Sequence, residues 1–198
     1  MVVRRIDQEA RRRDIVAATW RTLERGGLAE ASVRKVAAEA GLATGSVRHF
    51  FGTQAELHAF ALRSLSERVG ERVRRAEAEP DVRRRALAML GELLPLRDET
   101  TRELGIWLEF VHRSRHDPAL AEIIGDQARE VRGFLLHVVR GLVELGQLPA
   151  GTDPERTAAG LGALVDGLTF QLLTAPGLLD REQAAALLEE RLFGTTPR

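Results

Sequence analysis

A short stretch in the first quarter of the chain carries polar side chains at spacings suited to contact with a nucleic acid. Arg34 and Lys35 lie in one helix-forming segment. Arg48 and His49 lie in the next, and Gly41 separates the two. Such side chains donate hydrogen bonds to phosphates and to base edges. Two short helices joined by a turn can place the second in a major groove while the first braces it, so the segment predicts a helix-turn-helix motif.

The apolar residues of this segment recur at the spacing of helices that are buried on one side. Val36 and Ala37 would face inward from the first helix, and Val47 and Phe51 from the second. Taken singly, each arginine could equally be a solvated charge on a helix surface. The residues left on the outer side of the second helix, facing base edges and phosphates, are Thr44, Gly45, Ser46, Arg48 and His49.

The elements around the motif also read as helices. Strand-like alternation and tyrosine are absent, and Ala, Leu, Arg and Glu dominate. We expect an all-α fold with a three-helix helix-turn-helix DNA-binding domain at residues 1–52. A helical-bundle C-terminal domain for ligand sensing and dimerisation would follow at residues 53–198. Caps, glycines and prolines predict nine helices: Asp7–Arg25, Ser32–Gly41, Thr44–Phe51, Thr53–Glu79, Asp81–Leu94, Thr100–Ser114, Pro118–Leu145, Asp153–Thr174 and Asp180–Phe193.

Charge and composition favour a nucleic-acid-binding protein and exclude chemistry that depends on cysteine. The formal net charge is zero, yet residues 1–79 hold 15 basic and 11 acidic side chains, and residues 80–198 hold 14 and 18. A basic N-terminal part suits contact with phosphates. The chain has no cysteine, which excludes disulfides and thiolate catalysis. Without an apolar run long enough for a signal peptide or a bilayer span, we expect a cytoplasmic protein with no membrane partner.

Enzymatic motifs are not visible in the sequence. We find no glycine-rich phosphate loop, nucleophile elbow or paired-carboxylate cluster, so we expect neither an enzyme nor a cofactor. His112 and His116 are four residues apart but lack a third ligand nearby, so no metal site is expected. The rival class is a helical small-molecule carrier without DNA binding. A carrier has no need of exposed Arg34, Arg48 and His49 on tandem helices.

The first third of the chain carries an ordered series of residues that forms a recognisable pattern. These residues are Ile15, Ala18, Gly26, Gly27, Ser32-Val33-Arg34-Lys35-Val36-Ala37, Ala40-Gly41-Leu42, Ala43-Thr44-Gly45-Ser46-Val47-Arg48-His49-Phe50-Phe51 and Thr53-Gln54-Ala55-Glu56-Leu57. This series resembles the TetR family of transcriptional regulators. The resemblance implies a DNA-binding repressor that acts on a double-stranded operator and is released by a small-molecule effector. It also implies that Thr44, Gly45, Ser46 and His49 approach bases and backbone, and that Ser32, Arg34 and Phe50 bind phosphates.

Three residues depart from the family's pattern. Ala43 stands in place of a serine cap, so either Thr44 caps the recognition helix or its first turn is looser. Arg48 stands where many members have tyrosine, and it could contact a guanine edge or a phosphate. Gln54 replaces a phosphate-binding lysine, which weakens the case for that contact, although free amides at the start of the next helix would still attract an anion.

The last two predicted helices are unusually apolar and could form either an internal core or a dimer. We favour the dimer, because two heads related by a two-fold axis read a palindromic operator, whereas one head binds few phosphates. The predicted interface residues are Leu161, Leu164, Val165, Leu168, Leu172, Leu187 and Leu188. A looser resemblance to BetI-like members of the family runs through Asp117-Pro118-Ala119-Leu120, Glu144-Leu145-Gly146-Gln147-Leu148 and Leu164-Val165-Asp166-Gly167-Leu168.

Several residues of the C-terminal part could line a cavity for a small-molecule effector, although aromatic residues at helical spacing also build plain cores. Asp166 interrupts an apolar run. It could form a hydrogen bond across the dimer seam, or reach into the cavity to meet a cationic effector. The predicted pocket residues are Trp107, Phe110, Val111, Phe134, His137 and Asp166.

Overall fold

In the computed structural model, residues 2–194 are described, with side chains from residue 10 onward. This part of the chain forms nine α-helices and no strand, which confirms the predicted all-α class. Within the same residues, no helix has the length and apolar content needed to cross a membrane. The helices are α1 (Val2–Glu30), α2 (Val33–Glu39), α3 (Thr44–Phe50), α4 (Gln54–Ala76), α5 (Val82–Gly91), α6 (Asp98–Ser114), α7 (Pro118–Glu144), α8 (Pro154–Thr174) and α9 (Arg181–Phe193).

Side-chain caps fix the starts of several helices. Asp81, Asp153 and Asp180 each accept hydrogen bonds from backbone amides in the first turn of α5, α8 and α9. These amides have no partner inside the helix, and a carboxylate at this end also favours the helix dipole. The caps expected from the sequence at Asp153 and Asp180 are therefore confirmed, and the structure adds the cap at Asp81.

Helix α1 departs furthest from its predicted bounds. The chain leaves helical geometry at Gly26 and Gly27, as predicted, but one further turn follows before Glu30. Gly27 has a φ of 67°, which favours glycine. A side chain there would also collide with the Glu109 carboxylate, which would stand 2.7 Å from its Cβ. The Glu109 carboxylate accepts a hydrogen bond from the Leu28 amide at 2.8 Å, and this contact holds the extra turn.

The chain divides into two compact units. The first comprises the residues up to Glu67 together with Ile106–Ile124, and the second comprises Arg68–Gly105 together with the residues from Gly125 onward. Helix α4 therefore begins in the first unit and ends in the second. The domain boundary after residue 52 stays a prediction. One core of the first unit contains Ile15, Ala18, Val36, Ala37, Val47, Phe51 and Leu57.

The second unit has its own apolar core, built from α5, α7, α8 and α9. Leucine, valine and alanine side chains supply most of it, and removing them from water is the main stabilising contribution. Its largest fully buried members are Leu90, Leu94, Leu135, Leu161 and Leu188.

The second unit also buries a network of ion pairs that joins α4, α6 and the end of α5. Arg72 donates to Glu92 at 2.9 Å and to Glu103 at 2.7 Å. Arg68 donates to the second oxygen of Glu103 at 2.5 Å, and Arg97 binds Glu92. Burial opposes the charge of Arg72, but the hydrogen bonds that it donates to both carboxylates outweigh this effect and hold the pKa of Arg72 above its ordinary value. Arg72 therefore remains charged, and its hydrogen bonds to Glu92 and Glu103 fix the register of α4 against α6.

We expect Glu103→Gln to lower the free energy of unfolding by about 3 kcal/mol, because it leaves the buried Arg72 without one of its two close carboxylates. Glu99 is the matched control: it lies one turn earlier on α6, is half exposed, and stands 3.6 and 3.8 Å from Arg68 and Arg72. Glu99→Gln should cost no more than about 0.5 kcal/mol. Urea unfolding measures both, and equal losses would contradict the role given to the network.

Candidate DNA-binding surface

Local capping and a glycine turn set the geometry of α2 and α3. Ser32 caps α2, and its hydroxyl accepts a hydrogen bond from the Lys35 amide at 3.3 Å. Gly41 ends the turn after α2 with a φ of 65°, a conformation that side chains disfavour. The Leu42 amide then donates to the Ala37 carbonyl at 2.9 Å, which closes the turn. The predicted helix-turn-helix is therefore present, with Ser32 and Gly41 in the expected places.

The segment that leads into α2 is held from two other helices of the first unit. The Nε2 atom of His58 on α4 donates to the carbonyl of Ala31 at 2.8 Å. The His58 ring also packs edge-on against Phe110 of α6, at 6.1 Å between ring centres. Burial lowers the pKa of His58, although its hydrogen bond to Ala31 acts in the opposite direction. A neutral His58 thus fixes the backbone one residue before the Ser32 cap.

The outer side of α3 is formed as the sequence predicts. Val47 is buried, whereas Gly45, Ser46, Arg48 and His49 are exposed. The predicted contacts Thr44 and Phe50 are half-buried, and the Phe50 ring packs edge-on against His49. Ala43 provides no side-chain cap, and Thr44 is the first helical residue and does not cap the helix either. The first turn of α3 is therefore held by backbone hydrogen bonds to the Ala43 carbonyl alone.

Gly45 is not required by the fold around it. Its backbone is helical, and a Cβ atom built there would meet nothing within 4 Å. A glycine in a helix costs about 1 kcal/mol relative to alanine. Among the described residues, nothing requires a glycine at this position.

The cations of the first unit separate into paired and free groups. Arg21 and Arg25 both bind the Glu39 carboxylate, and Lys35 binds Glu30. The hydrogen bond from Arg21, together with that from Arg25, lowers the pKa of Glu39. These three cations serve the fold of the first unit.

Arg34 and Arg48 belong to the free group. Both are exposed, and within residues 10–194 neither has an acidic partner. Two of the residues predicted to contact phosphates or bases therefore have a positive charge that no internal ion pair engages. The charge of Lys35, which lies beside Arg34 in the sequence, is paired with Glu30.

The start of α4 corrects one expectation. Gln54 is exposed at the first position of α4, as its predicted contact requires. The amides there are not all free for an anion, however. The Thr53 hydroxyl accepts from the Glu56 amide at 3.1 Å, and the Glu56 carboxylate accepts from the Gly52 amide at 2.9 Å. A carboxylate at this end repels a phosphate, so the expectation that free amides here attract an anion is wrong. The contact of Gln54 itself stays a prediction.

The predicted pocket residues fall into both units. Trp107, Phe110 and Val111 belong to the first, where Phe110 is fully buried. Phe134, His137 and Asp166 belong to the second, where His137 and Asp166 are exposed. Partial loss of hydration raises the pKa of Asp166. Whether these residues meet a ligand stays a prediction.

The predicted dimer residues also differ in burial. Leu161, Val165, Leu168 and Leu188 are buried in the core of the second unit, so they have almost no surface to offer a partner. Their assignment to an interface is corrected for that reason. The structure leaves Leu187 exposed, while Leu164 and Leu172 are partly buried against the same core.

A three-helix arrangement whose third helix exposes Arg48 and His49 defines a helix-turn-helix DNA-binding regulator. Two family models match the chain: bacterial regulatory proteins of the tetR family over residues 15–59, and the C-terminal part of BetI-type transcriptional repressors over residues 80–195. The chain belongs to the TetR family of transcriptional regulators, and the resemblance seen in the sequence is confirmed.

Individual relatives extend this likeness over nearly the whole chain. The HTH-type transcriptional regulator PksA of Bacillus subtilis is 31% identical over 190 residues, which cover 96% of this chain and 91% of that protein. The HTH-type transcriptional regulator BetI 1 of Chromohalobacter salexigens is 29% identical over 195 residues, with 96% and 94% covered. A solved transcriptional regulator from Rhodococcus sp. Rha1 has a TM-score of 0.76 and 32% identity, with 93% and 98% covered.

We expect Gly45→Ala to change stability and DNA binding in opposite directions. Alanine should raise the free energy of unfolding by about 0.5–1 kcal/mol, because it favours helix and meets no neighbour. The added methyl group should weaken DNA binding by about tenfold or more, since it would stand between α3 and the DNA. Thermal unfolding and fluorescence anisotropy measure the two effects.

Gly133 of α7 is a matched control for this variant. It is also an exposed helical glycine with open space at its Cβ, but it lies in the second unit. Gly133→Ala should give a similar gain in stability with unchanged DNA binding. If Gly45→Ala bound DNA as well as the wild-type chain, the outer side of α3 would not be the DNA-binding surface.

Proposed function

We propose that this chain is a repressor that binds a palindromic operator as a homodimer and is released from it by a small-molecule effector. The observation that carries the DNA-binding part of this proposal is the outer side of α3, where Arg48 and His49 are exposed beside a glycine that the fold does not require. Cations without internal partners can bind DNA without first breaking an ion pair. Arg34 of α2 adds a second such cation.

We expect some DNA contacts to position the protein on the phosphate backbone and others to read the base sequence. Arg34, Ser32 and Phe50 would bind phosphates and fix the orientation of the domain. Thr44, Ser46, Arg48 and His49 would approach base edges along the major groove, with Gly45 allowing the helix to come close. The arginine at position 48 favours guanine, because its guanidinium group can donate two hydrogen bonds to that base.

A dimer is supported by the exposed side of α8. Ala159, Ala163, Asp166 and Phe170 follow one another at helical spacing and are all exposed, and Phe170 is a large apolar residue with 58% of its surface in solvent. Leu187 of α9 is also exposed. Exposed apolar residues with small neighbours suit a close, self-complementary helix contact. Dimers are typical of the family, and this side of α8 replaces the four buried residues assigned from the sequence.

Release by an effector would act through α4. This helix contributes Leu57 to the core that supports α3, and Arg72 to the ion network of the second unit. A ligand that prefers one position of α4 would therefore change the spacing of two recognition helices, with a coupling free energy of about 1–3 kcal/mol. Operator affinity with and without effector is the quantity that tests this step.

Because the target is chromosomal DNA, we propose that the protein acts in the cytoplasm.

Arg48→Ala should weaken binding to the operator by about tenfold to a hundredfold, because it removes the free guanidinium group of α3. Thermal stability and dimerisation should not change, since Arg48 makes no internal ion pair within the described residues. Gel-shift titration against the operator and against unrelated DNA measures the effect. A loss confined to the operator indicates a base contact, and a loss on both indicates a phosphate contact.

Arg156→Ala is a suitable control, because Arg156 is an exposed arginine in the first turn of α8, in the second unit. It should leave both affinities unchanged. An unaltered operator affinity in Arg48→Ala would show that α3 is not the recognition helix.

A further inference from the structure

We propose that Arg12 of α1 binds a DNA phosphate beside the junction of α3 and α4. The inference rests on the proposed function. The first position of α4 is occupied by Gln54, which carries no positive charge. The Glu56 carboxylate adds a negative charge at the same end, where it accepts from the Gly52 amide. A phosphate bound beside this junction would therefore be stabilised by a cation from elsewhere in the chain.

Arg12 stands at this junction. The carbon at the centre of its guanidinium group lies 4.4 Å from the ring centre of Phe60 and 5.7 Å from that of Phe51. Phe51 directly follows the last residue of α3, and Phe60 lies in the second turn of α4. The two rings also pack against each other, at 5.1 Å between centres. They form a fixed platform for the guanidinium group of a residue far away in sequence.

The contact with the rings orients Arg12 without neutralising it. A cation over an aromatic face is attracted by the negative face of the ring and keeps all its hydrogen-bond donors at the edge of the guanidinium plane. Arg12 is exposed, and among residues 10–194 it has no carboxylate partner. Arg21 and Arg25, on the same helix, do have one. Arg12 is therefore held in place, charged and accessible, as a phosphate-binding side chain should be.

A role in folding alone is the competing explanation, because the ring contact also joins α1 to α4. The two roles differ in their salt dependence. A phosphate contact releases about 0.9 counterion per charge, so its loss lowers the slope of log affinity against log salt. A purely structural contact changes thermal stability and leaves that slope unaltered.

The test compares the full-length wild-type chain with Arg12→Ala and Arg12→Gln at several salt concentrations. Gln retains much of the side-chain length and so isolates the charge. We expect both variants to bind operator and unrelated DNA about tenfold more weakly. The salt slope should fall by about 0.9 for each Arg12 in the complex. Gln54→Lys in the Arg12→Ala background should restore the slope, because it returns a cation to the junction.

Arg13→Ala is the control, since Arg13 is the next exposed arginine on α1 and, in the part of the chain that the structure describes, has no ring contact. An unchanged slope in both Arg12 variants would overturn the inference, as would an equal fall in slope in Arg13→Ala. If the wild-type chain itself bound no DNA with sequence preference, the proposed function would fail as well. These two failures are distinguishable, because the first occurs in a protein that still recognises its operator.

Discussion

A helix of seven residues such as α3 cannot hold its shape alone in water, because so few hydrogen bonds do not offset the cost of nucleating a helix. Its shape and direction depend on Val47 and Phe51, which are buried in one core with Val36. With Val47 turned inward, helical geometry places Gly45 and His49 on the opposite side. The surface offered to DNA is therefore set by the packing behind it, and every proposed base contact depends on that small core.

Features that arise from local chemistry could be predicted from the sequence. Ser32 and Asp180 each precede a helix and accept hydrogen bonds from the backbone amides of its first turn. Gly41 suits a left-handed turn. The capping by Glu56 could also be predicted from the sequence, because Thr53 and Glu56 have the spacing of a capping box, which argues against free amides at this helix start.

Features that arise from tertiary contacts could not be predicted in this way. Helix α8 is apolar on several sides, so periodicity alone does not separate Leu161, which is buried in its own unit, from Phe170, which is exposed. The stacking of Arg12 on Phe60 joins residues 48 positions apart, so no local sequence pattern predicts it. The pairing of Arg21 with Glu39 is likewise invisible in a list of charges. Net charge therefore describes the domain, while only the fold tells which cations remain free.

Sequence-specific recognition by two copies of the chain is the central claim, and selection of bound fragments tests it most directly. The purified protein is mixed with sheared genomic DNA of the organism that encodes it, and the retained fragments are sequenced. We expect enrichment of an inverted repeat whose half-sites are about one helical turn or a multiple apart, with two chains on each site. Failure to enrich any sequence, or enrichment of a single half-site bound by one chain, would contradict it.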